Sequence, residues 1–135
     1  MKALTLTQPW ATLVVTGRKK IETRGWRTGF RGRVAIHAAK GMPGWAKEAA
    51  REFGLDPDAL PRGAVIGKAY IGEMARTEDA REVLLEAGLA AELSMGDYDD
   101  GRWAWELHNA TAFAQPIPAA GALGLWDWTP PGDDE

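Results

Sequence analysis

A chain of 135 residues without a single cysteine is long enough for one buried core, yet it excludes a disulfide scaffold, a thiolate metal site and a cysteine nucleophile, and it suits a reducing cytoplasm. The net charge of -3 conceals a division: the first forty residues carry nine Lys or Arg against Glu22 alone, giving +8, and the remainder carries -11. That balance argues against a protein that coats nucleic acid indiscriminately and points to one local anion site in the first third. The opening residues lack the apolar run of a signal peptide, and no stretch approaches the roughly 20 apolar residues that cross a bilayer, so a soluble, cytoplasmic protein with no membrane partner is expected.

In chain order, residues 2–7 alternate, with Leu4 and Leu6 on one face and Thr5 and Thr7 on the other, as in a short strand. Residues 8–16 read as a helix capped by Thr7 or Gln8, with Pro9 in its first turn and Gly17 at its C-terminal end. A strand is predicted over 33–39. A helix follows over 43–53, expected to bury Trp45, Ala49 and Phe53, with Gly54 stopping it. After a loop at 56–63, residues 64–75 form a long strand. Its Gly67 and Gly72 suggest a bend or a close backbone approach. Thr77 is expected to cap a helix reaching about Leu93, weakened at Gly88. An acidic loop, a strand over 103–113 and a last segment ending in G-L-W-D-W complete the domain, assigned to 1–129. The acidic tail at 130–135 is expected to fray. Strands not regularly followed by helices argue for α+β, a small, partly closed β-barrel with helices packed around it, rather than a doubly wound parallel sheet.

The chemistry concentrates in residues 17–33, G-R-K-K-I-E-T-R-G-W-R-T-G-F-R-G-R, where seven cations surround Glu22 and two aromatics, Trp26 and Phe30, interleave. Cations attract phosphates and aromatic faces stack on bases. A lone acid inside such a cluster is placed to orient a ligand or move a proton. If 20–24 run extended, Lys20, Glu22 and Arg24 share a face and Ile21 points to the core. A surface ion pair there contributes only about 0–1 kcal/mol. In a cleft between helix 8–16 and the sheet, by contrast, Lys19 and Arg24 hold an anion or carbonyl while Glu22 accepts from a base edge. Trp10 and Trp26, flanking the run, are candidate stacking walls. Arg27, Arg31 and Arg33 are placed to draw a phosphate backbone. His37 either donates to a ligand in this cleft or is a satisfied structural residue, and Glu106 with His108 read as structural or rim groups. No phosphate-loop or dinucleotide fingerprint is present, and the only histidines, His37 and His108, come from distant segments, so neither a metal nor a cofactor is expected. Ser94, the only serine, lacks the context of an activated nucleophile.

Gln8-Pro9-Trp10, then Gly17-x-Lys19-x-x-Glu22-x-Arg24, then Arg31-Gly32 and Ile36-His37-Ala38, resemble the signature of the ASCH domain, a branch of the PUA-like superfamily. G-A-V-I-G near residue 65, W-A-W-E-L-H-N and G-L-W resemble that family's later strands, so the resemblance covers nearly the whole chain. It implies a small barrel around a basic cleft and a role in binding RNA or a modified nucleoside. Among PUA-like relatives it also implies an enzymatic alternative, a hydrolase that is either an amidohydrolase on N4-acylated cytidine or a ribonuclease. Lys19 matches the amidohydrolase lysine, but the threonine of that pattern falls at Glu22, and the third acid falls at Glu78, Glu82 or Glu86. Lys19 as nucleophile or base needs a lowered pKa; burial beside Arg24 and Lys20 supplies this, whereas Glu22 opposes it. A third class, a regulatory domain that binds another protein, predicts no salt-dependent affinity for nucleic acid.

Overall fold

The computed structural model describes residues 1–132. Strands β1 (Lys2–Leu6), β2 (Ile21–Arg24), β3 (Gly32–Ala38), β4 (Ala64–Arg76), β5 (Trp103–Pro118) and β6 (Leu125–Asp127) form one curled sheet in the order β2-β5-β4-β3-β1-β6. Helices α1 (Trp10–Val15), α2 (Gly44–Glu52) and α3 (Thr77–Glu86) pack around it, giving the α+β half-barrel. Strands β1 and β3 run parallel, and the remaining pairs are antiparallel. The parallel pair needs a crossover, and α1 with β2 supplies it.

The curl follows from where the sequence omits side chains. A Cβ on Gly67 would lie 2.3 Å from the Thr111 carbonyl oxygen and 2.6 Å from a Val15 methyl. Only glycine lets β4 pass this close to β5 and to α1. The β4–β5 register shifts there and twice more, and each bulge adds bend. Helix α1 buries Ala11, Leu13, Val14 and Val15. Ala11, Val14 and Val15 pack against Leu4, Ile36, Ile66 and the fully buried Trp105.

Four expectations change. Helix α2 buries Ala46 and Ala50, while Trp45 stays 64% exposed. The stripe of small residues wins because the helix seats against Met42, Leu55 and Leu60, and Trp45 turns out beside Trp10 at a ring distance of 5.6 Å. Helix α3 ends at Glu86, not near Leu93, because Gly88 takes a left-handed φ of 74°; a separate 3₁₀ segment, Ala90–Met95, follows. Thr77 is the first residue of α3 rather than its cap, and its buried hydroxyl donates to the Asp99 carbonyl and accepts from the Arg102 N–H. Strand β5 continues past Phe113 to Pro118, with Pro116 in the bulge between the Val65–Ile117 and Gly67–Ala112 pairs, where no ladder hydrogen bond is required of it.

Among the described residues no helix is long and apolar enough to cross a membrane. Residues 133–135 of the expected frayed tail lie outside the described residues.

Candidate functional site

The site begins where α1 stops. Gly17 adopts a φ of 81°, and the Lys19 N–H donates to the Leu13 carbonyl at 2.8 Å. That bond folds the chain back under the helix and drives the Lys19 side chain inward, to 1% exposure. Its ammonium donates to the Ile21 carbonyl and lies 3.5 Å from Glu22 Oε1. Burial lowers the Lys19 pKa; Glu22 and then Glu92 pull the other way, and burial is the larger effect.

Strand β2 places Glu22 and Arg24 on one face, as alternation requires. Glu22 Oε2 accepts from Arg24 Nε at 2.9 Å, and Arg24 Nη2 donates to the Thr5 carbonyl at 2.9 Å. Lys19, Glu22, Arg24 and Thr5 therefore form a continuous polar chain from the interior to a cleft, with Arg24 Nη1 left free of protein partners among the described residues. Ile21 faces the other way, toward Leu84 and Ala104, and Lys20 is exposed.

The cleft measures about 410 Å³, within the range of small-ligand sites. It is lined by Glu22, Thr23 and Arg24 of β2, by Thr5–Thr7, by Trp10 and Trp45, and by Met95, Gly96 and Arg102. The turn carrying Gly96 is pinned to β2, since the Thr23 hydroxyl accepts from the Asp97 N–H at 3.0 Å. A Cβ on Gly96 would lie 2.9 Å from that hydroxyl. Arg102 braces the same turn through the Asp97 carbonyl at 3.1 Å.

Behind Lys19 lies a second buried acid. Glu92 Oε1 accepts from the Lys20 N–H at 2.8 Å. Glu92 Oε2 and the Tyr98 hydroxyl are both buried without a partner among the described residues. Burial pushes the Tyr98 phenol well up, with Glu92 and Glu22 adding to it. Sequence reasoning missed Glu92, as it missed Thr5, Trp45, Gly96 and Arg102. Glu78, Glu82 and Glu86 on α3 do not line the cleft; Glu78 accepts instead from the Gly101 N–H at 3.0 Å, which holds its carboxyl below the usual range.

The rest of the basic run disperses. Trp26 packs edge-on against Trp105 at 4.8 Å and gives its carbonyl to the Trp105 N–H, away from the cleft. Arg31 donates to the Thr28 and Phe30 carbonyls of its own loop. Arg27 stacks over Trp103 at 5.0 Å, Arg18 lies over Phe53 at 5.9 Å, and Arg33 faces out from β3. His37 lies beneath a neighbouring cleft with both ring nitrogens occupied, Nδ1 by the Thr5 hydroxyl at 3.1 Å and Nε2 by the Ala119 carbonyl at 2.7 Å. Of the candidate ligand-binding residues, Trp10, Glu22 and Arg24 line the first cleft, Lys19 supports it from beneath, and Trp26, Arg31 and His37 lie elsewhere.

A family model of the ASCH domain matches residues 4–117. The crystal structure of ASCH from Zymomonas mobilis is similar at 20% identity with a TM-score of 0.55, over 87% of this chain and 72% of that one. A serine-to-alanine variant of that protein gives the same figures. A tyrosine-to-phenylalanine variant gives 17% identity and a TM-score of 0.53, over 87% of this chain and 74% of that one. These likenesses concern the fold. No curated protein matches this sequence.

Proposed function

The chain belongs to the ASCH domain family, and from that premise we propose that its cleft binds one nucleobase, carried by a free or modified nucleoside or by RNA. The observation that carries this reading is the Glu22–Arg24 pair, braced by Lys19 and by the Thr5 carbonyl, and lining one cleft together with Trp10 and Trp45. A carboxylate accepts from a base N–H, and the free Nη1 of Arg24 donates to a ring nitrogen or carbonyl. The pair is held in position before the ligand arrives, so little side-chain entropy is lost on binding. The two indoles offer apolar faces, and stacking contributes about 1–3 kcal/mol per base.

The hydrolytic alternative uses Lys19 and Glu22 as reacting groups. Against it stand the burial of Lys19 and the commitment of its ammonium to Glu22 and the Ile21 carbonyl. In the binding reading Lys19 is a positioning residue, and N4-acylated cytidines and short RNAs release no product.

Calorimetric titration of the four ribonucleosides, N4-acetylcytidine and a short RNA tests the reading. Trp45→Ala, at an exposed position, should weaken binding by roughly 5- to 150-fold at an unchanged melting temperature. Arg24→Ala should weaken it further. Wild-type affinity in both variants would overturn the proposal.

A further inference from the structure

We infer that a second cleft beside the first receives the phosphate attached to the bound nucleoside, so that the preferred ligand is a nucleotide or a phosphodiester-linked strand; this inference rests on the nucleobase reading above. The second cleft is the larger, about 640 Å³, and Thr5 borders both. On one side the Thr5 carbonyl anchors Arg24 at 2.9 Å. On the other its hydroxyl accepts from the Trp126 N–H at 3.0 Å and meets His37 Nδ1 at 3.1 Å. The two clefts therefore share Thr5 as a common lining residue.

The chemistry of the second cleft differs from that of the first. The Thr5 hydroxyl accepts from Trp126 and meets His37 Nδ1, and His37 Nε2–H donates to the Ala119 carbonyl. Both ring nitrogens of His37 are therefore engaged within the protein. The mouth carries Lys40 and Arg62, both exposed, and no carboxylate lines the cleft among the described residues. Among the described residues neither cation makes an ion pair or a side-chain hydrogen bond. Some other surface cations are engaged, with Arg27 and Arg76 over Trp103, Arg81 paired with Asp100 and Lys2 with Asp127, whereas among the described residues Lys20 and Arg33 are as free as these two but line no acid-free cleft. Residues 119–121 also line the cleft, and a Cβ on Gly121 would lie 2.7 Å from the His37 ring and 2.8 Å from the Thr5 hydroxyl. Two uncommitted cations at the mouth of an acid-free cleft suit a phosphate, which needs charge but not a deep pocket.

The test compares a ribonucleoside, its 5′- and 3′-monophosphates and a trinucleotide, titrated at low and moderate salt against the wild type and a Lys40→Glu/Arg62→Glu variant. Both positions are exposed, so the variant should keep the wild-type melting temperature. Phosphorylated ligands should bind at least about tenfold more tightly than the nucleoside, with a salt dependence that the variant loses. Nucleoside affinity should be the same in both proteins. A gain with a monophosphate means that a terminal phosphate suffices; a gain with the trinucleotide alone means that an internal phosphodiester is required. Either result supports the site. Equal affinity for nucleoside and nucleotide, or a gain that survives charge reversal, overturns this inference and leaves the nucleobase reading standing. Absence of binding by every ligand overturns both.

Discussion

Replacing Glu22 by glutamine removes the counter-charge of a lysine that is 1% exposed, while nearly preserving shape. Breaking a buried pair from one side typically costs about 3–5 kcal/mol, because the remaining charge is stranded. Lysine has an escape, since it can lose its proton. From its ordinary pKa of 10.5, deprotonation costs at most about 5 kcal/mol at pH 7 and about 2 kcal/mol at pH 9, at roughly 1.4 kcal/mol per pH unit. Because burial already lowers Lys19 in the wild type, the observed loss should fall below those ceilings, at about 2–4 kcal/mol at pH 7. The loss should shrink as the pH rises, because the variant folds with a neutral lysine while its unfolded chain binds the proton more weakly at each step. Urea denaturation of both proteins at pH 7 and pH 9 measures the difference. Lys19→Met, which removes the buried charge but leaves Glu22 its Arg24 partner, should cost less than Glu22→Gln at pH 7. A Glu22→Gln loss below about 1 kcal/mol at pH 7, or one that grows toward pH 9, would refute the claim that Lys19 is a buried charge held by Glu22.

Tyr98→Phe deletes a buried hydroxyl that has no partner among the described residues, and should stabilise the fold by about 1 kcal/mol. The folded phenol titrates above its ordinary 10.0, so above that pH the unfolded chain loses the proton first and the wild type loses stability; the variant should lack this alkaline loss in denaturant titrations run from pH 8 to 11. An unchanged alkaline slope would count against the assignment. Gly67→Ala places a methyl 2.3 Å from a backbone oxygen that cannot rotate away, so a loss of about 3 kcal/mol or more is expected in thermal melts. A melting temperature near that of the wild type would show that the close approach of β4 to β5 is not what bends the sheet.

What the sequence discloses here is local. The alternation of residues 2–7 suffices for β1, and the spacing of Glu22 and Arg24 suffices to put them on one face. Gly67 signals a close approach because nothing else explains a glycine amid β-branched neighbours. The direction of Lys19, by contrast, depends on a bond to Leu13 that no residue pattern announces. Trp45 and Ala46 lie on alternative stripes of one short helix, and which stripe is buried depends on how closely α2 seats, a property of its neighbours. The dense basic run suggested a single patch, but the turns around Gly25, Gly29 and Gly32 send Arg27, Arg31 and Arg33 in different directions. Trp45, Gly96 and Arg102 reach the site from segments 20 to 80 residues beyond β2, a separation over which one sequence carries no pairing signal.

Met1 donates to the Trp128 carbonyl at 2.7 Å and accepts from its N–H at 2.9 Å, while Lys2 faces Asp127 across the β1–β6 pair. Tension applied between residues 1 and 128 would therefore load these hydrogen bonds one after another, as in unzipping, rather than all together in shear. The same proximity means that the domain could be grafted into a loop of another protein with almost no distance to bridge between its points of attachment.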